Sequence, residues 1–232
     1  MHAPDGFLDL PTSLAAGAVA VAVVGLSLRG ARRELDERTA PMAGLVAAFV
    51  FAVQMLNFPV GAGTSGHLLG GTLAAVLVGP WTGVLAVTCV LAVQALLFSD
   101  GGLTALGTNV STMAIATVLV GYAAFRALAA VLPRRPSSVV AAAFCGALLS
   151  VPAAALLFVG LYAVGGTAPV DLGTVLAAML GVHVVIGVGE AVITALTIST
   201  VLAARPDLVH GARRLLPPPR LEVRRATPAA DR

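Results

Sequence analysis

Residues 172–204 read LGTVLAAMLGVHVVIGVGEAVITALTISTVLAA, and this apolar stretch decides the fold class. Within it, Glu190 is the only residue with a formal charge at pH 7. A helix rises about 1.5 Å per residue, so around 20 apolar residues are needed to cross a bilayer. The stretch is long enough to do so, and its composition predicts a membrane-spanning helix.

Comparable apolar runs recur along the chain, separated by short polar or Gly/Pro segments. Of its 232 residues, 58% are hydrophobic and 11% are charged, whereas about 25% of an ordinary globular chain is charged. We therefore predict an all-α integral membrane fold, with a transmembrane domain over residues 1–204 and an arginine- and proline-rich tail over 205–232. Seven spans are predicted, at about residues 11–28, 41–58, 67–78, 81–98, 106–132, 138–164 and 172–204.

Arginine supplies all 14 basic side chains, and the positions of these residues predict the topology. They lie after span one, at the end of span five and just after it, and after span seven, at Arg29, Arg32, Arg33, Arg38, Arg126, Arg134, Arg135, Arg205, Arg213, Arg214, Arg220, Arg224, Arg225 and Arg232. With seven spans, these places share one side of the membrane, which the positive-inside rule assigns to the cytoplasm. The amino terminus is therefore predicted to lie outside and the carboxyl terminus in the cytoplasm of a multi-pass plasma-membrane protein.

The composition also excludes several kinds of chemistry. Without lysine, the chain has neither a Walker A phosphate loop nor a pyridoxal Schiff base. It contains no HExxH motif and no nucleophile–base spacing, and Cys89 and Cys145 lie singly in apolar runs. No enzymatic activity, prosthetic group or nucleic-acid partner is expected. Any ATP that powers this protein is expected to be hydrolysed by a partner.

The amino terminus has the chemistry of a metal chelate. Met1-His2-Ala3-Pro4-Asp5-Gly6 lacks the positive region of a secretory signal, so we expect it to remain, with a free Met1 amine. That amine, the His2 backbone nitrogen and His2 Nδ1 can close a five- and a six-membered ring around one ion. Three coplanar nitrogens suit Ni²⁺ or Cu²⁺, with Co²⁺ lower in affinity. The alternative is that His2 is a frayed terminal residue.

A second histidine follows a glycine-rich segment at residues 61–66. Glycine lets the backbone approach a ligand closely, and the predicted topology puts this segment on the same face as Met1. His67 can therefore supply a fourth nitrogen, with Thr64 and Ser65 bonding its other ring nitrogen. The alternative is a histidine that begins a helix and is hydrated by water.

Polar residues also lie at membrane depth, where they are expensive and tend to face an interior or a cavity. These are Gln54, Asn57, Gln94, Asn109, His183 and Glu190. His183 and Glu190 are seven residues apart and share a helix face. This spacing favours a buried structural pair over direct metal ligation. It also leaves open an autonomous divalent-cation permease or channel that uses the two residues as a relay.

The acidic residues complement the arginines. Asp5, Asp9, Asp100 and Asp171 fall at the predicted outer positions. An outer surface of one sign concentrates cations. The alternative is that acids simply lie opposite arginines.

Three ordered motifs resemble those of the CbiM/NikM family, the substrate-binding membrane subunits (S components) of energy-coupling factor transporters for cobalt and nickel. Residues 1–8, MHAPDGFL, resemble the family's MHIPDGFL start. Asn57-Phe58-Pro59-Val60 with Gly63-Thr64-Ser65-Gly66-His67 looks like its second signature. The third is similar to Gln94-Ala95-Leu96-Leu97-Phe98, Asp100-Gly101-Gly102-Leu103 and Gly107-Thr108-Asn109. The resemblance covers residues 1–204.

The resemblance implies a six-helix S-component core with an added amino-terminal helix. It implies capture of Ni²⁺ or Co²⁺, for uptake linked to cobalamin biosynthesis, by the Met1 amine, the His2 backbone nitrogen and imidazole, and the His67 imidazole. Supporting residues would be Asn57, Thr64, Ser65, Gln94 and Asn109. The implied partners are a transmembrane T component, two ATP-binding subunits and a separate small N-type membrane subunit.

The chain departs from the family pattern at two places. Ala3 replaces an isoleucine, and Thr112 stands where a second asparagine is common. The second departure puts the hydrogen-bonding role of that position in question. A planar set of four nitrogens favours nickel, but the sequence leaves both ions open.

Overall fold

The computed structural model describes residues 1–37, 39–61, 64–213 and 215–216. The helices are α1 (Leu10–Ala31), α2 (Ala40–Gln54), α3 (Gly71–Val78), α4 (Pro80–Leu97), α5 (Leu106–Val131), α6 (Pro136–Gly165) and α7 (Leu172–Ala204). Helix α5 contains a π-helical stretch, Val110–Ala116. Strands β1 (Phe58–Gly61) and β2 (Thr64–Gly66) form an antiparallel hairpin between α2 and α3. Two short 3₁₀ turns, Pro206–Leu208 and His210–Ala212, follow α7.

Every apolar stretch in which a span is predicted contains a helix, so the structure is that of a mostly helical, multi-pass membrane protein. Among the described residues, α1, α4, α5, α6 and α7 are long and apolar enough to cross a membrane. Helix α2 has only 15 residues, and α3 has 8. Eight residues span about 12 Å, less than the bilayer core of about 30 Å. The count of seven crossings and the orientation remain predictions.

The predicted third span is too long at its start. Residues 67–70 are not helical, and α3 begins only after Gly70, whose φ of +78° favours glycine. All eight residues of α3 are buried, and it packs against α4, α5 and α6. Helix α3 is therefore a short, enclosed element of the bundle rather than a lipid-facing one.

The predicted all-α fold did not include this β-hairpin, and the structure corrects the prediction there. Phe58 pairs with Gly66 and Pro59 with Ser65. Helix α2 consequently ends at Gln54, earlier than the predicted end of span two near residue 58. The hairpin contacts α7 and delivers the chain to His67 in an extended conformation.

The chain continues to pack against the bundle after α7, while the predicted boundary between bundle and tail at residue 204 stays a prediction. Val209 and Ala212 are buried, so the segment just after α7 folds back onto the bundle, and its second 3₁₀ turn packs against α3. Residues 217–232 lie outside the described part of the chain. So do Arg38 and Arg214, on which part of the topology prediction rests.

Candidate metal centre

The amino terminus is inside the protein. Met1 and Ala3 are 0% exposed and His2 is 3% exposed. The Ala3 amide donates to Asn109 Oδ1 at 2.8 Å, while Asn109 Nδ2 and the Gly102 amide donate to the Ala3 carbonyl at 3.2 and 2.9 Å. These bonds anchor the terminus to α5 and to the loop before it. The alternative of a frayed terminus is therefore wrong for this structure.

A tight turn at residues 4–7 returns the chain from this buried position to α1. The Phe7 amide donates to the Pro4 carbonyl at 3.3 Å, and Gly6 has a φ of +72°. Asp5 Oδ1 accepts the amide and hydroxyl of Thr104 at 2.7 and 2.6 Å. Asp9 then caps α1 by accepting the Thr12 amide. The Pro-Asp-Gly sequence thus folds the first residues into the bundle.

The side chain of Gln94 fixes the tautomer of His2. His2 Nε2 lies 3.2 Å from Gln94 Oε1. Because an amide oxygen only accepts, Nε2 carries the ring proton in this network. His2 Nδ1 is left with its lone pair, which is the nitrogen that the chelate requires.

His67 presents a second lone pair to the first. Its Nδ1 donates to the Leu68 carbonyl at 2.7 Å, so its Nε2 is unprotonated. His67 Nε2 lies 3.0 Å from His2 Nδ1. Nitrogens at adjacent corners of a square plane, each about 2.0 Å from an ion, are about 2.8 Å apart, whereas opposite corners are about 4 Å apart. Two facing acceptors at this distance suit a shared cation.

Burial keeps these nitrogens neutral. It lowers the pKa of the Met1 amine to about 4, against a smaller raising effect of Asp100. Burial and then the nearby amine lower the pKa of His2 to about 3. Burial also takes the pKa of His67 well below its ordinary value. Metal ions bind the deprotonated forms, so the site is ready for a cation at neutral pH.

Asp100 is a site residue that the sequence reasoning missed as such. Its Oδ1 lies 3.2 Å from His2 Nδ1, and its Oδ2 accepts the Asn57 side-chain amide at 3.0 Å. Burial raises the pKa of Asp100 in spite of the Met1 amine, which lowers it. A cavity of 260 Å³ reaches His2 and is lined by Asp5, Ser65, Ser99 and Asp100 among others. The sequence feature that could have indicated this role was Asp100-Gly101-Gly102 in the third motif.

Four of the five predicted supporting residues lie at the site: Asn57, Gln94 and Asn109 through hydrogen bonds, and Ser65 in the lining of the cavity. The prediction that Thr64 or Ser65 bonds the second ring nitrogen of His67 is wrong, because the Leu68 carbonyl takes that nitrogen. Thr64 instead contacts the Met179 sulfur at 3.9 Å. The departure at Thr112 stays within its own helix, where the hydroxyl donates to the Thr108 carbonyl at 2.9 Å.

The predicted pairing of His183 with Glu190 is also wrong. Glu190 accepts the amides of Leu69 and Gly70 at 2.6 and 3.0 Å. His183 Nδ1 donates to the Met179 carbonyl at 2.7 Å. Seven residues of helix separate the two side chains by about 10 Å, so each finds its partners locally. Glu190 thus holds the segment that follows His67.

Side chains alone do not make this site. Among the described residues, no three His, Cys, Asp or Glu side chains are grouped as a metal site requires. To bind a metal ion, the facing imidazoles of His2 and His67 need further donor atoms. The buried main-chain nitrogens of Met1 and His2 lie in the same segment and can supply them.

The chain resembles known metal transport proteins over most of its length. A family profile named CbiM and described as the cobalt uptake substrate-specific transmembrane region matches residues 2–208. The chain is 35% identical to the cobalt transport protein CbiM of Sorangium cellulosum over 100% of both chains. It is 41% identical to a provisionally named fused nickel transport protein, NikMN, of Archaeoglobus fulgidus, over 90% of this chain and 68% of that one. A crystal structure of a transition metal transporter matches with a TM-score of 0.80 and 32% identity, covering 88% of this chain and 93% of that chain.

Proposed function

Because the chain belongs to the CbiM family, we propose that it is the subunit that captures Ni²⁺ or Co²⁺ at the outer face of the plasma membrane for uptake. The observation that carries the proposal is the 3.0 Å separation of His2 Nδ1 and His67 Nε2. Both atoms are acceptors in their hydrogen-bond networks, so a cation between them satisfies two lone pairs at once. The names of the relatives supply the class of ion.

The proposed donors are four nitrogens. They are the Met1 amine, the His2 backbone nitrogen, His2 Nδ1 and His67 Nε2. The first three close two chelate rings through consecutive atoms of the chain, and His67 completes the set from the loop before α3. Gln94 and Asn109 hold the chelating segment in place, and Asn57 holds Asp100 beside it.

Entry of the ion is proposed through the 260 Å³ cavity that reaches His2. The carboxylates of Asp5 and Asp100 line this cavity and attract cations to it. Asp100 Oδ1 lies 3.2 Å from His2 Nδ1, so an ion that reaches this carboxylate is already next to the first imidazole.

Energy for uptake is proposed to come from partners, as in an energy-coupling factor importer. The chain lacks lysine and hence a Walker A loop of its own. A transmembrane T component, two ATP-binding subunits and a small N-type membrane subunit would complete the complex. The rival proposal of an autonomous permease loses support, since His183 and Glu190 are bonded to separate groups.

The choice between the two ions follows from coordination chemistry. A planar set of four nitrogens is the geometry that Ni²⁺ favours. We therefore propose nickel as the ion bound more tightly by these four donors, with cobalt as the second substrate.

The experiment is a metal titration of the purified chain with an unmodified Met1. We expect Ni²⁺ to bind with the absorption band of a planar nitrogen complex, and His2→Ala or His67→Ala to weaken binding by more than about 100-fold. His210→Ala is the matched control, because His210 lies near Tyr122 rather than at the site. Equal affinity of the wild type and His67→Ala would overturn the proposal.

A further inference from the structure

We propose that a basic cavity at the far end of the bundle from the metal centre binds the phosphate headgroup of an anionic phospholipid. The cavity has a volume of 390 Å³, and Arg29, Arg33, Trp81 and His210 are among the residues that line it. A water molecule takes up about 30 Å³ in the liquid, so the cavity has room for a phosphate and several waters. The inference concerns a second ligand and does not depend on the proposed metal site.

The basic cavity lies at the depth of lipid headgroups. Helix α1 begins at Leu10, directly after the amino-terminal segment of the metal centre, and Arg29 is in its last turn. Its 22 residues rise about 33 Å, close to the thickness of a bilayer's hydrocarbon core, about 30 Å. The cavity is therefore about one membrane thickness from the metal centre. It lies on the side that the arginine positions predict to be cytoplasmic.

Apolar and aromatic side chains line the same cavity beside the charges. Leu26 and Trp81 are both lining residues, and they are 52% and 40% exposed. The Trp81 ring packs against α1 at Gly30, where a Cβ would overlap the ring. Tryptophan rings in membrane proteins favour the level of the headgroups. A ligand with both a charged and an apolar part suits this lining better than a free ion does.

The acidic residue of the basic cavity is engaged elsewhere. The Glu34 carboxylate accepts the Trp81 amide at 3.2 Å and the amide and hydroxyl of Thr82 at 2.7 and 2.9 Å. Within the described residues, neither Arg29 nor Arg33 forms an ion pair. Two arginines and one glutamate leave the cavity with a net positive charge, which an anionic ligand would balance.

The chemistry of these side chains points to phosphate. A guanidinium group presents parallel N–H donors that match two phosphate oxygens at once. Basic pockets between helices on the cytoplasmic side are suited to anionic headgroups, because that leaflet carries anionic lipids. His210 comes from the segment that follows α7 and lies near Tyr122 of α5, with 6.4 Å between ring centroids. A headgroup bound here would thus link α1 to the segment after α7.

The test uses Trp81 as its reporter, because it is the only tryptophan of the chain. The full chain is placed in mixed vesicles of phosphatidylglycerol and phosphatidylcholine, in which one lipid or the other carries bromine and quenches tryptophan fluorescence. We expect phosphatidylglycerol to be preferred next to Trp81 by about three- to tenfold. Equal quenching by the two brominated lipids would overturn the inference.

Variants assign the preference to the basic cavity. The double variant Arg29→Gln/Arg33→Gln should quench equally with both lipids. Arg134→Gln/Arg135→Gln is the matched control, because it removes the same charge from the same predicted side outside this cavity. It should keep the wild-type preference, and an equal loss in both double variants would overturn the inference. If the first double variant fails to fold, Arg33→Gln alone, which lies after the end of α1, should give an intermediate preference.

Inorganic phosphate distinguishes a lipid headgroup from a free anion. An excess of inorganic phosphate over the chain, at constant ionic strength, should leave the preference for phosphatidylglycerol in place, because the free ion lacks the apolar part that Leu26 and Trp81 contact. Loss of the preference under these conditions would assign the cavity to free phosphate and overturn the lipid.

Discussion

The main chain of Ala3 is bonded twice to one side chain, that of Asn109. The Ala3 amide donates to Asn109 Oδ1 at 2.8 Å, and Asn109 Nδ2 donates to the Ala3 carbonyl at 3.2 Å. A two-point bond of this kind fixes the peptide plane as well as its position. Since Ala3 follows the chelating residues directly, α5 sets the direction in which the His2 backbone nitrogen points.

Replacing Asn109 by aspartate should weaken metal binding. Asn109→Asp keeps the acceptor for the Ala3 amide but puts a carboxylate oxygen against the Ala3 carbonyl. We expect the Kd for Ni²⁺ to rise by about 10- to 100-fold, as for other residues that orient metal ligands. Ser111→Ala is the control, because its hydroxyl donates to Ala16 away from the site. Binding of the Asn109→Asp protein within about twofold of wild type would remove this role.

A substitution at Gly101 tests how closely the loop before α5 must approach the chelating residue His2. A Cβ at this position would lie 2.9 Å from both Asn109 Nδ2 and His2 Cδ2, and the φ is +91°. Gly101→Ala should therefore push His2 out of place and weaken Ni²⁺ binding by more than about tenfold. Gly6→Ala is a matched control, because Gly6 also has a positive φ, of +72°, but open space around a Cβ. Similar losses in the two variants would mean that backbone strain, not the contact with His2, is responsible.

Glu190 should act as a positioning residue for His67. Its carboxylate accepts the amides of Leu69 and Gly70, while Gln54 donates to the Leu69 carbonyl at 2.7 Å. Glu190→Gln puts an NH₂ group against one of the amide donors, so the segment should shift. We expect about tenfold weaker Ni²⁺ binding and a band shifted towards a complex with one nitrogen fewer.

The control for Glu190 is its neighbour. Gly189 has open space around a Cβ, so Gly189→Ala tests a change in the same turn of α7 without touching the segment at residues 69–70. It should bind Ni²⁺ as the wild type does. A Glu190→Gln protein with wild-type affinity and spectrum would contradict the positioning role.

Proton release on binding tests the buried state of the terminus. With pKa values of about 4 for the Met1 amine and about 3 for His2, both groups are neutral at pH 7 in the folded protein. Nickel should then displace about one proton, from the His2 amide. An exposed amine with a pKa of about 8 would add most of a second proton. Calorimetry in two buffers of different ionisation enthalpy counts the protons released per Ni²⁺ bound. A count near two would contradict the burial of the Met1 amine.

The lowered pKa of the Met1 amine also affects the stability of the protein. The pKa of the amine is about 4 in the folded protein and 8.0 as its ordinary value, so the unfolded chain binds more protons between these values. The contribution of this group to the free energy of unfolding is therefore largest above about pH 8 and falls as the pH is lowered towards 4. Thermal unfolding of the metal-free protein at several pH values measures this slope, and a slope of opposite sign would contradict it.

Hydropathy and motif chemistry predict much of this molecule, and their failures have physical causes. Apolar runs locate every helix, but they do not distinguish a helix that crosses the bilayer from a buried short one such as α3. The hairpin at residues 58–66 was missed because glycine-rich segments carry no hydrophobic period. Spacing within one helix suggested that His183 and Glu190 pair, whereas contacts with another segment decided their partners.

The site shows the same division between local and long-range information. The chelate of Met1 and His2 follows from consecutive atoms of the chain, so the sequence alone can predict it. The role of Asp100 depends on a contact with His2 across 98 positions of sequence, which only the fold brings within 3.2 Å. Thr64 was expected beside His67 because it is near in sequence, but the hairpin turns it towards Met179.

The most direct test of the central claim is the Ni²⁺ affinity of a chain whose Met1 amine is acetylated, compared with the unacetylated chain. Acetylation converts the donor amine into an amide, and the chain has no lysine to supply another amine, while every side chain stays the same. The account predicts a loss of more than about 100-fold in affinity and of the planar absorption band. Unchanged affinity with an unchanged spectrum would contradict it.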